Sequence, residues 1–136
     1  MSKPLSSPWP RLRALGPPLG LMAAIYVLSS IPGKGGGKAA RFMADVDPQL
    51  QNLLHLPLFA LLQYLWLRGL AARGVRGAGL FAGSLLITLG YGVFDELHQY
   101  FVPGRYASLT DLLLNLTGAL IGVLVYRLAH RHAVLE

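Results

Sequence analysis

The sequence predicts an all-α fold: an integral membrane bundle of four transmembrane helices, N-in and C-in, with a polar cluster at the outer face. Three observations predict it. Of the 136 residues 54% are apolar and only 13% charged, the mean hydropathy is +0.49, and four apolar stretches approach the length of a bilayer core. A soluble domain carries roughly 25% charged residues, so a soluble globule of this composition would lack polar surface. A disordered chain would not be this apolar. The chain has no cysteine, which excludes a disulfide framework, a CxxC redox pair and a thiolate metal site.

The first span is expected from Ala14 to Ile31, the second from Leu50 to Leu67, the third from Gly77 to Phe94 and the fourth from Leu112 to Tyr126. No stretch alternates with period two, which disfavours a β-barrel. The first stretch also has the basic flank of a secretory signal peptide (Lys3, Arg11, Arg13) and small residues at Ser29-Ser30. Its length and the lack of an A-x-A site favour a span. Residues 1–13 read as a basic cytoplasmic N-terminus, 14–128 as the membrane domain and 129–136 as a cytoplasmic tail.

Orientation follows from the basic residues. With the N-terminus inside, Lys3, Arg11, Arg13, Arg68, Arg73, Arg76, Arg127 and Arg131 face the cytoplasm, against Lys34, Lys38, Arg41 and Arg105 outside. Topology and anionic lipid therefore account for the net charge of +6, and nucleic acid is not expected as a partner.

The run Pro32-Gly33-Lys34-Gly35-Gly36-Gly37-Lys38 reads as a flexible linker. It is no phosphate-binding loop, because the glycine spacing is wrong and Ala39 stands where Ser or Thr would hold magnesium. Asn115-Leu116-Thr117 fits a glycosylation sequon but lies inside a span. Gly79/Gly83 and Gly118/Gly122 each have GxxxG spacing. They are expected to pack helices within the chain, with a homodimer interface as the other use.

The informative stretch runs from Asp95 to Asn115 and holds three of the six acids, Asp95, Glu96 and Asp111. On a helix continuing to Phe101, Asp95, His98 and Gln99 share a face, while Glu96 points towards another helix or the headgroups. Pro103-Gly104 marks a turn, and Ser108 caps the helix that starts after it. By helix rise, Asp95, His98, Asp111, Asn115 and His55 fall at one depth, with Arg105 able to fold back over them. Each has a plain structural use, as cap, turn tie or helix–helix hydrogen bond. Together they favour a site, since intramembrane charges are costly.

The string Asp95-Glu-x-His98-Gln99-x-Phe101-x-Pro103-Gly104-Arg105-x-x-Ser108-x-x-Asp111-x-x-x-Asn115-x-x-Gly118 resembles the VanZ-like family of small bacterial membrane proteins. Ser30-Ile31-Pro32 and His55 agree with it, over about Leu21 to Tyr126. One departure is Gln51-Asn52, where the family usually carries an Asp-Lys pair. The resemblance implies a multi-pass protein of the bacterial cytoplasmic (inner) membrane, an envelope context and a link to teicoplanin resistance.

The first functional reading is a site that binds or modifies a lipid-linked or cell-wall precursor. Asp95, His98 and Asp111 are the candidate catalytic residues, with Asp95 and His98 as an acid–base pair. Glu96, Gln99, Arg105, Ser108, Asn115 and His55 are candidate binding residues, Arg105 as a bidentate clamp on phosphate or carboxylate. The second reading is a non-catalytic scaffold docking on another envelope enzyme, for which the GxxxG helices matter most. A metal-dependent hydrolase using Asp95, Glu96, His98 or His55 is weaker, since Glu96 leaves the Asp95 face and no three ligands visibly converge. No metal or cofactor is expected, and membrane lipids are the expected surroundings. A transporter is disfavoured because the cytoplasmic half of every span reads as apolar.

Overall fold

The computed structural model describes residues 12–33 and 37–131. Lys3, Arg11, Lys34 and residues 132–136, with most of the basic N-terminus and of the tail, lie outside the described residues. So do Gly35 and Gly36 of the linker. The regular structure is helical throughout: α1 (Gly16–Ser29), α2 (Lys38–Asp45), α3 (Pro48–Leu53), α4 (His55–Ala72), α5 (Gly77–Tyr100) and α6 (Leu109–Ala129).

Among the described residues, three helical stretches are long and apolar enough to cross a membrane: Gln49–Ala72, Gly77–Tyr100 and Leu109–Ala129. The first apolar stretch differs from the expected span. Its helix has 14 residues, about 21 Å at 1.5 Å per residue against a core of about 30 Å. Pro17 and Pro18 have no N–H for the carbonyls of Arg13 and Ala14, so the regular helix restarts at Gly16. At the other end Ile31 precedes Pro32, which disfavours helical backbone.

A second proline shapes the next helix. Pro57 leaves the Leu53 carbonyl without a main-chain donor, and the chain breaks at Leu54 into α3 and α4. Asp47 caps α3 by accepting a hydrogen bond from Gln49 N at 2.8 Å. α2 is an addition to the sequence reading. Lys38, Arg41 and Asp45 are interleaved with Ala40, Phe42 and Met43, the pattern of a helix lying along an interface.

α4 and α6 run parallel and α5 antiparallel, so the start of α4, the end of α5 and the start of α6 meet at one end. The closest packing is between α4 and α6. A Cβ on Gly118 would collide with the Leu56 carbonyl and stand 3.1 Å from Ala60 N; on Gly122 it would collide with the Ala60 carbonyl. The Gly118/Gly122 pair therefore packs helices within the chain. Around Gly79 there is open space.

The core joins α1, α4 and α5 through Ile25, Phe59, Leu62, Trp66 and Tyr91. Large apolar residues such as Leu86, Leu113 and Leu120 point outward, as a lipid-facing surface requires. The interior away from the polar end is less apolar than the sequence reading held. Gln63, about 12 Å along α4 from His55, is fully buried and donates to Ser84 Oγ at 2.8 Å, and Thr88 is buried one turn further along α5. Counting charges along each span missed this uncharged pair.

Candidate functional site

At the shared end, α4 contributes His55, α5 contributes Asp95, Glu96, His98 and Gln99, and α6 contributes Asp111 and Asn115. Asp95, Glu96, Gln99, Asp111 and Asn115 are all buried. Ser108 caps α6, its Oγ accepting from Asp111 N at 3.4 Å, and its own N–H donates to Glu96 Oε2 at 2.9 Å. Glu96 therefore points to the start of α6, one of the two directions expected for it.

The expected Asp95–His98 pair does not form. His98 Nε2 lies 2.8 Å from Ser30 Oγ, and the ring stacks on Tyr26 at 4.5 Å between centroids. Spacing of three puts two side chains about 60° apart around a helix, enough to separate one that meets α1 from one that meets the bundle interior. Asp95 instead accepts from Gln99 Nε2 at 3.1 Å through Oδ2, while its Oδ1 is buried without a partner.

Arg105 does fold back, but onto backbone and amide. Its Nε donates to the Ile31 carbonyl and its Nη1 to Gln51 Oε1, each at 3.1 Å. Burial pulls the guanidinium below its ordinary pKa, while Asp95 and then Asp111 push it up again. Gln51, whose role the sequence did not signal, ties the site together: Nε2 donates to the carbonyls of Met43 and Val46 at 2.7 and 3.0 Å. An amide can donate to these carbonyls and accept from Arg105 at once, which an aspartate at this position could not.

His55 and Asn115 meet as the depth argument requires, with Nδ1 3.0 Å from Asn115 Oδ1. This contact fixes the orientation of the imidazole at the start of α4. The expectation that three ligand-type groups do not converge is corrected here. One donor atom each from His55, Glu96 and Asp111 lies within 4.8 Å of the other two.

The profile of the VanZ/LLP1 family matches residues 17–130. The chain belongs to the VanZ/LLP1 family. No curated protein and no solved structure matches it significantly. The family match covers every residue of the VanZ-type polar string, from Asp95 to Gly118.

Two adjoining cavities open beside these residues. One, of about 350 Å³, is mostly apolar, with Ile25, Leu28, Phe42, Leu54 and Leu58 in its walls and His55, Asp95 and Arg105 at its polar side. The other, of about 400 Å³, is lined by Asn52, Tyr106, Ser108 and Asp111 among others. Met43, Val46, Gln51, Gln99 and Arg105 belong to both walls.

Proposed function

We propose that this VanZ-family protein binds, and acts on, an anionic amphiphile of the cell envelope: a lipid-linked or cell-wall precursor. The observation that carries this reading is the paired cavity, apolar on one side and polar on the other, with Arg105 in the shared wall. An acyl or prenyl chain fits the apolar half, and a phosphate or carboxylate fits the side where the Arg105 guanidinium keeps N–H donors beyond those given to the Ile31 carbonyl and Gln51. Gln99, buried in the shared wall, is suited to orient the head group, and Asp95 stands at the polar side of the apolar half.

The reading places the site at the outer face of the bacterial cytoplasmic membrane. Arg68, Arg73, Arg76 and Arg127 lie at the opposite end of the long helices, which favours that end as cytoplasmic. On this orientation α1 counts as the fourth membrane element, and sequestering or altering a wall precursor would reduce glycopeptide access, teicoplanin included. His98, turned towards α1, positions that helix on this reading, and acid–base work falls to Asp95.

The test is mass spectrometry of envelope lipids and wall precursors from cells expressing the protein, Asp95→Asn or Arg105→Ala. A species that accumulates or disappears only with the intact protein is the expected result. An unchanged profile, with all three proteins confirmed in the membrane, would sink the reading and leave a docking scaffold.

A further inference from the structure

We infer that His55, Glu96 and Asp111 form a binding site for one first-row divalent cation, Zn²⁺ or Mn²⁺ in preference to Mg²⁺ or Ca²⁺. The inference stands apart from the amphiphile and rests on the three helix ends alone.

Convergence is the first observation. The donor atoms come from three different helices and lie within 4.8 Å of one another. In a tetrahedral site with bonds of about 2.0–2.2 Å, donors stand about 3.3–3.6 Å apart, so the groups need draw together by no more than about 1.5 Å.

The second observation is independent of spacing. Glu96 and Asp111 are each only 3% exposed, yet Glu96 Oε1 and Asp111 Oδ1 have no hydrogen-bond partner. Buried carboxylate oxygens without partners are strongly unfavourable, more so at membrane depth. The usual remedy, an arginine, is not applied here, because Arg105 spends Nε and Nη1 on the Ile31 carbonyl and Gln51. A dication between the two carboxylates supplies the missing partner, and the pair of carboxylates matches its charge.

The third observation is the anchoring of the histidine. Asn115 Oδ1 lies 3.0 Å from Nδ1, an outer-shell contact of the kind that orients a metal-binding histidine. The other oxygen of Glu96 is held in the same way by Ser108 N. One imidazole with two carboxylates suits zinc or manganese, whereas magnesium and calcium favour oxygen alone. Asp111 also lines the polar cavity, which leaves room for a further ligand such as water.

The experiment uses full-length, untagged protein in nanodiscs, stripped with chelator and titrated with Zn²⁺, Mn²⁺, Mg²⁺ and Ca²⁺ by calorimetry, with metal content read by mass spectrometry. The expected result is one equivalent of Zn²⁺ or Mn²⁺ per chain, lost in His55→Gln, Glu96→Gln and Asp111→Asn and kept in His130→Gln. Asn115→Leu should weaken binding by about 10–100-fold. No stoichiometric uptake by the wild type, equal uptake by the three ligand variants, or preference for Mg²⁺ or Ca²⁺ overturns the inference. Should those variants fail to run as monodisperse particles, pulsed electron paramagnetic resonance of the Mn²⁺-loaded wild type decides. Coupling to one directly bound nitrogen supports the site, and its absence overturns it. None of these readouts follows an envelope precursor, so failure here leaves the proposed function standing, and the reverse also holds.

Discussion

The two sides of the bundle are held together differently. Between α4 and α6 the contact is backbone against backbone: Gly118 and Gly122 leave no room for even a methyl group beside the carbonyls of Leu56 and Ala60. Between α1 and the rest, much of the link is made by side chains reaching a few polar points, with Tyr91 donating to the Met22 carbonyl, His98 paired with Ser30, and Arg105 bonded to the Ile31 carbonyl. Small residues give a rigid pair because dispersion acts over many atoms at close range. On the α1 side, separate hydrogen bonds supplement the apolar contact of Ile25, and each can be removed without touching the others. His55, Asp111 and Asn115 sit on the rigid pair, whereas the apolar cavity lies against the looser side.

The strongest way to break this contrast is Gly118→Leu. The added side chain meets backbone, so the folded protein should lose about 3 kcal/mol or more, read as a lower unfolding midpoint in detergent or loss of folded yield. Gly79→Leu adds the same atoms where nothing lies within 4 Å and should move the midpoint by less than about 0.5 kcal/mol. If Gly79→Leu abolishes function while the fold survives, the scaffold reading gains over the binding one.

Arg105→Ala should act on the loose side alone. Removing charge-assisted hydrogen bonds of about 1.5–3 kcal/mol each should raise amide exchange around Leu28–Ile31 by at least about tenfold, with exchange in α4 and α6 unchanged. Equal acceleration in both regions would mean that the two sides are one cooperative unit.

His98→Phe is the mildest change. It keeps the stack on Tyr26 and removes one hydrogen bond, so about 0.5–1.5 kcal/mol is at stake, measured as local exchange at Ser29 and Ser30. Because His98 turns from Asp95, the pH dependence of any activity should survive. Loss of its basic limb would return His98 to the acid–base role.

Much of this arrangement is legible in the residues. Glycine spacing marks a close approach, Ser108 before an apolar run marks a cap, and helix rise alone puts His55 level with Asn115. What escapes is direction around a helix. Asp95, Glu96 and His98 lie within four residues yet serve the interior, α6 and α1 respectively, and spacing carries no information about which neighbour each one meets. The α2 helix escapes because the glycines before it read as a linker. The short α1 escapes because hydropathy averages over Pro17 and Pro18, which are apolar enough to pass and unable to donate.

The pairing of His98 with Ser30 spans 68 residues of chain. During synthesis at about 5–20 residues per second, Ser30 is made roughly 3–14 s before its partner exists. The polar anchors of the first helix therefore close last, after α4 has supplied Phe59, Leu62 and Trp66 as the apolar seat for Ile25. Chain order alone thus separates the docking of this helix into an early apolar step and a late step of hydrogen bonding.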